Sequence, residues 1–107
     1  VNTYTLQLKL VHGFSNPIRY GILMALKQGE QNVSALVEAV DASQSAVSQH
    51  LTCLRECGLI EKRNDGKYCF YRLTSPKIVQ LLDLLNDAIG DFHWGEADTV
   101  VCHHHMA

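Results

Sequence analysis

Residues 33–57, VSALVEAVDASQSAVSQHLTCLREC, constrain the fold more than any other stretch. Leu36, Val37 and Val40 recur at helical spacing, as do Val47, Leu51 and Leu54, with Asp41-Ala42-Ser43 between the two runs. Apolar residues three and four apart make one inward stripe per helix, so two short helices joined by a tight turn are expected. The first starts near Asn32. Ser43 supplies a capping hydroxyl for the second, which runs to about Cys57 and is ended by Gly58. Two such helices about a turn form a helix-turn-helix, a unit whose second helix can enter the DNA major groove.

The flanks extend this unit. Residues 4–14 have the pattern of a short amphipathic helix. In SNPIRYGILMALKQG, Asn16 takes the N-cap, Pro17 the first helical position and Gly29 the stop. Its apolar stripe is Ile18, Ile22, Leu23 and Leu26. LIEKRNDGKYCFYRL predicts a β-hairpin, two strand-like runs flanking Asn64-Asp65-Gly66. Ser75-Pro76 starts a last helix reaching about Phe92, with Ile78, Leu82, Leu85 and Ile89 inward. Leu81 and Leu84 widen that face beyond what one small core needs, which points to a dimer interface. Residues 93–107 show no periodicity. The expected fold is mainly α with a β-hairpin: a winged helix-turn-helix in the order α-α-α-α-β-β-α, assembled as a homodimer. DNA binding and dimerisation fall to residues 1–92 and metal binding to a tail, 93–107.

A length of 107 residues suits one domain, and 47% hydrophobic with 19% charged residues excludes a disordered chain. No apolar run approaches the roughly 20 residues that span a bilayer, and no signal peptide is visible, so a cytoplasmic protein without membrane partners is expected. Val1 stands where a translated chain has Met, which leaves both native termini open. The net charge of −2 argues against nucleic acid, but its distribution does not. Residues 1–72 carry eight Lys/Arg against six Asp/Glu, and 73–107 carry one against five. A basic face can hold phosphate on a mildly acidic chain.

Three motifs in order, NPIRYGILMAL, SALVEAVDASQSAVSQHLTCLRECGLI and KRNDGKYCFYRL, resemble the ArsR/SmtB family of bacterial metal-responsive repressors over roughly residues 8–92. The resemblance implies a homodimeric repressor, not an enzyme, that binds double-stranded operator DNA and leaves it when an inducer binds. An enzyme is also disfavoured by the residues, since no Cys/His pair has an orienting third group at recognisable spacing.

On the second helix of the motif, Ser45, Ser48 and Gln49 fall opposite the core stripe together with Thr52, and Gln44 lies in the first turn. Gln can grip adenine with two hydrogen bonds, and Ser serves base edges or phosphates. Lys62, Arg63, Lys67 and Arg72 on the hairpin, with Arg55, are expected to contact phosphate, which adds salt-dependent affinity without sequence information.

Cys53 and Cys57, four residues apart, share a helix face with Cβ atoms about 5–6 Å apart, a spacing that suits two thiolates on one ion. Packing is the alternative, because a free Cys behaves as a small hydrophobe. Arg55 and Glu56 between them place the pair at a core edge. His50 reads as a packing or hydrogen-bonding residue, and Cys69 points into the core and binds nothing. Two thiolates rarely suffice, and Cys102 is the candidate third. The chain resembles the family's cadmium/lead-sensing branch here, marked by CxxxC on this helix and a tail cysteine from the other subunit. It departs from other branches: helix 33–40 contains no Cys, and the last helix lacks the array of the zinc sensors. Three sulfurs favour a soft inducer, Cd²⁺ or Pb²⁺ first, with Hg²⁺ or As³⁺ also suited. His103, His104 and His105 keep Zn²⁺ in play if they are native and not the remnant of a tag. The competing function is a thiol-based redox or reactive-sulfur sensor on the same scaffold, with Cys102 and a helix cysteine oxidising together.

Overall fold

Five short polar side chains set where the helices begin. In the computed structural model, which describes residues 2–92, Asn2 caps α1 (Thr3–Phe14), and Asn16 caps α2 (Pro17–Leu26). Asn32 caps α3 (Val33–Val40), Ser43 caps α4 (Gln44–Glu56) and Ser75 caps α5 (Pro76–Ile89). Each accepts a hydrogen bond from a first-turn backbone N–H that has no partner within its helix; Asn16 Oδ1 takes two, from Ile18 at 2.8 Å and Arg19 at 3.2 Å.

The helix ends are equally local. Asp41, at φ +52°, turns the chain between α3 and α4. Gly58, at φ +81°, closes α4: its N–H reaches the Arg55 carbonyl, and the Leu59 N–H reaches the Leu54 carbonyl, both at 3.0 Å. This is the Schellman pairing, which uses a left-handed residue to satisfy the last carbonyls. It drops Leu59 into the core.

Strands β1 (Gln31–Asn32), β2 (Ile60–Asp65) and β3 (Tyr68–Leu73) form an antiparallel sheet in the order β1-β3-β2. The hairpin register pairs Asp65 with Tyr68, so Asn64 and Asp65 remain in the strand and the loop is Gly66-Lys67. Gly66 sits at φ +62° in the first central position, where a left-handed residue matches the twist of the strands. β1 was not expected: Gln31 and Asn32, opposite Tyr71 and Phe70, are too few to show a period. α5 stops at Ile89, and the backbone N–H groups of Gly90, Asp91 and Phe92 make i→i−3 turn bonds. Gly90 supplies the weakness there.

The core is Ile22, Leu23, Leu36, Val47, Leu51, Leu54 and Leu82, all essentially inaccessible, with Leu26, Leu59, Ile60, Tyr71 and Ile78 around them. α1 comes so close that a Cβ on Gly13 would lie 2.1 Å from Leu59 Cδ1. Among the described residues the core ends at Leu82. Leu85 and Ile89, expected to point inward, are exposed, as are Leu84 on α5 and Leu6, Leu8 and Val11 on α1. Between these helices runs a groove of ≈ 310 Å³ lined by Leu10, Val11, Phe14, Leu81 and Leu85. Among the described residues no helix is long and apolar enough to cross a membrane.

Candidate nucleic-acid interface and thiol site

Val47, Leu51 and Leu54 anchor α4 to the core, and that fixes what its other side presents. Gln44, Ser45, Ser48, Gln49 and Thr52 are all exposed, as the helical spacing predicts. The Thr52 hydroxyl donates to the Ser48 carbonyl at 3.1 Å. The side chains of Gln44, Ser45, Ser48 and Gln49 make no hydrogen bond within the described residues, so their donors and acceptors face solvent.

The wing is less uniformly basic than its sequence. Arg63 makes two hydrogen bonds to Glu30, from the loop before β1, along one edge of its guanidinium: Nε donates to Oε2 at 2.9 Å and Nη2 to Oε1 at 2.6 Å. Its guanidinium also stacks 5.0 Å from the Phe70 ring centroid and lies 3.7 Å from Asp65. The Arg63 hydrogen bond holds the Glu30 carboxyl below its usual range, and Glu30 in return raises the Arg63 pKa. Arg72 pairs with Glu61 at 2.5 Å. Lys62 and Lys67 make no ion pair among the described residues, and the Lys67 ammonium lies 5.7 Å from the Tyr68 ring centroid. Between α4 and β2 an open cleft of ≈ 530 Å³ is lined by Thr52, Arg55, Glu56, Ile60, Glu61 and Lys62.

On the flank of α4 between core and reading face lie Cys53 and Cys57, both half-buried free thiols. Cys57 is the C-cap, its N–H bonded to the Cys53 carbonyl at 3.0 Å, and its side chain packs at the core edge. Burial pushes the Cys57 thiol up, and the adjacent Cys53 adds to this; Lys9 and Arg19 pull the other way. The Cys57 thiol is therefore protonated at neutral pH, and a metal ion must displace that proton to bind. Two sulfur donors on successive turns suit a soft ion. Among the described residues no third His, Cys, Asp or Glu joins them to complete a cluster. Cys102 and His103–His105 lie outside the described residues. Cys69 on β3 packs against the core, in line with its expected role.

Arg19 was not anticipated. With Ile22, Leu23 and Leu26 it forms the inward stripe of α2, where Ile18 was expected; Ile18 is only partly buried and Arg19 is 8% exposed. The signal was present as a cation three, four and seven residues before three apolar positions. Arg19 Nη1 donates to His50 Nδ1 at 3.2 Å, and Nη2 to the His12 carbonyl at 3.1 Å and Ser15 Oγ at 3.4 Å. Among the described residues its buried Nε has no partner. Burial first and the Arg19 charge second lower the His50 pKa, so the ring is neutral at pH 7 and accepts through Nδ1. That contact confirms His50 as a hydrogen-bonding residue.

Residues 16–62 match the family described as bacterial regulatory protein, arsR family. A biofilm growth-associated repressor of Xylella fastidiosa is 38% identical over 76 residues, 71% of this chain and 67% of that protein. The arsenical resistance operon repressor of Escherichia coli is 40% identical over 77 residues, 71% of this chain and 65% of that one. Among solved structures, the homodimeric winged helix-turn-helix DNA-binding domain of a Mycobacterium bovis protein superposes with a TM-score of 0.76 at 26% identity, covering 82% of each chain.

Proposed function

The chain belongs to the ArsR family of bacterial regulatory proteins, DNA-binding regulators and not enzymes, and on that premise we propose that it is a cytoplasmic repressor released from operator DNA by a soft metal ion. The observation that carries this reading is the place of Cys53 and Cys57: two free thiols one turn apart on the helix that presents Gln44, Ser45, Ser48 and Gln49. A site there leaves the reading side chains uncovered and acts on the orientation of the helix that carries them.

Gln44 and Gln49 read base edges, and Ser45 and Ser48 contact bases or phosphate. Lys62 and Arg55 neutralise phosphates along the cleft beside β2 and Lys67 does so at the hairpin loop, with Arg63 joining if DNA displaces Glu30. Two copies assemble through α1 and α5, as the exposed leucines on both helices support. Residues 1–92 are the DNA-binding and dimerising unit and 93–107 a metal-binding tail, whose Cys102 completes the thiolate set with Cys53 and Cys57. A bound Cd²⁺ or Pb²⁺ ion supplies a tight crosslink between sulfurs. Binding would release the thiol protons to water, and the tail would then hold α4 in an orientation that fits DNA less well. The coupling needed is about 1–3 kcal/mol, or roughly 5- to 150-fold in DNA affinity.

Titration of Cd²⁺ into the strictly reduced protein on its promoter DNA tests this, followed by fluorescence anisotropy and by thiolate-to-metal ultraviolet absorption. Release and absorption should rise together. Cys53→Ser and Cys57→Ser should abolish release, Cys102→Ser should weaken it and Cys69→Ser should leave it unchanged. Release by a thiol oxidant but not by metal ions would replace this reading with redox sensing through the same cysteines.

A further inference from the structure

Arg19 joins three helices from a buried position. From α2, its Nη2 donates to the His12 carbonyl at 3.1 Å and to Ser15 Oγ at 3.4 Å, at the end of α1. Its Nη1 donates to His50 Nδ1 at 3.2 Å, on α4. Among the described residues Arg19 is the only buried charged side chain, no carboxylate pairs with it, and Nε has no partner. Burying a cation on such terms is costly, and well-packed apolar side chains in such places are often neutral or stabilising. Stability is a poor reason for a cation here. Its connections are a better one.

Packing seats α4 without fixing its tilt. Val47, Leu51 and Leu54 hold it by apolar contact, which is non-directional. α1 meets it near its end, where Gly13 lies against Leu54 and Leu59. A hydrogen bond is directional, and among the described residues no side-chain hydrogen bond other than Arg19–His50 joins α4 to another helix. His50 stands about one turn before Leu54, and Gln44 about 15 Å before it along the axis. A tilt of about 4° around Leu54 therefore moves Gln44 by about 1 Å, enough to take a base contact outside the range of a hydrogen bond.

We propose that the Arg19–His50 hydrogen bond is the tie that sets the tilt of α4 against α1 and α2, which makes Arg19 a positioning residue for sequence reading. Arg19 touches no DNA and acts through His50. The inference rests on the reading of α4 as the helix that contacts bases, given under Proposed function, and is independent of any inducer.

The test uses the reduced full chain without added metal, on a duplex carrying its own promoter and on a scrambled duplex of equal length, read by fluorescence anisotropy. Arg19→Met and His50→Leu should each weaken promoter binding by about fivefold or more, the lower end of a coupling between sites. Both should leave affinity for the scrambled duplex unchanged, because phosphate contacts tolerate a small tilt. His50→Asn, whose Oδ1 can stand where Nδ1 does, should keep most of the promoter affinity. The double variant Arg19→Met/His50→Leu should bind no more weakly than the weaker single one, as for two residues acting through one contact. Circular dichroism and melting show whether each variant folds; if Arg19→Met does not, His50→Leu and His50→Asn carry the test. Equal losses on both duplexes would assign the pair to folding alone. Additive losses in the double variant, or His50→Asn as weak as His50→Leu, would separate the two residues, and single variants with full promoter affinity would remove the tie. Wild-type protein that does not prefer its promoter to the scrambled duplex would remove the reading of α4 as the base-contacting helix, and this inference with it.

Discussion

At the scale of single residues, neutralisation by neighbours decides which cations serve DNA. Lys67 pairs with no carboxylate among the described residues, so Lys67→Ala should weaken binding to all sequences alike and reduce the slope of log K against log salt by about 0.9. Arg63 already holds the Glu30 carboxylate with Nε and Nη2, so Arg63→Ala should flatten the slope less. Glu30→Gln should strengthen non-specific binding and steepen it; a slope unchanged in Glu30→Gln would mean that Arg63 never exchanges Glu30 for phosphate. Gln44→Ala and Gln49→Ala should act differently, relaxing preference at particular base pairs by about 1–3 kcal/mol. The wing cations were visible in the sequence, but their pairing was not, because Glu30 is 33 residues from Arg63 and only the fold joins them. Arg19 was missed for a related reason: an inward stripe sought among apolar residues passes over a cation lying on it. His50 gives a pH signature. Its folded pKa lies below the ordinary 6.5, so the unfolded chain takes up a proton there first. The stability it contributes is complete above about pH 6.5 and is lost as the pH falls through the folded value. Melting temperature should therefore decline on acidification below that point, and His50→Gln, which can still accept from Arg19, should blunt the decline.

At the scale of elements, the caps and glycines carried most of the readable information. Asn16, Asn32, Ser43 and Ser75 each start a helix where the sequence places it, and Gly58 ends α4. These signals are legible because each works through its own backbone within a few residues. β1 was not legible, since a two-residue strand exists only by pairing with β3. Gly13 shows how strongly elements depend on close approach. Its absent Cβ allows α1 to reach Leu54 and Leu59 at the end of α4, beside Cys57. Gly13→Ala should force Leu59 from its position and destabilise the fold by about 1–3 kcal/mol despite better helix propensity. Gly58→Ala should cost about 1 kcal/mol from the left-handed backbone alone. Chemical denaturation distinguishes the two from a neutral surface change such as Gln28→Ala, at an exposed position outside the helices. A Gly13→Ala protein as stable as wild type would show that α1 docks more loosely than the 2.1 Å approach requires.

At the scale of the whole molecule, the core formed by the described residues ends at Leu82, yet apolar side chains continue beyond it. Val11 is 62% exposed, Leu84 61% and Leu85 42%, and Val11 and Leu85 line the same groove between α1 and α5. The surplus of leucines was legible from the sequence, but the division between core and surface was not, because an apolar stripe looks the same facing either partner. A second copy covering this face accounts for the surplus and sets the DNA geometry, since a two-fold dimer places two α4 helices on half-sites about 34–36 Å apart or at a multiple of that distance. Val11→Glu and Leu85→Glu alter positions already in contact with water in the single chain, so each should fold while burying a carboxylate in any dimer. Sedimentation at micromolar concentration should then show monomers, whereas wild type sediments as a dimer. DNA affinity should fall steeply, because a single α4 engages only one half-site. If instead the variants sediment like wild type and hold the promoter as tightly, α1 and α5 are not where two copies meet, and the exposed leucines need another partner.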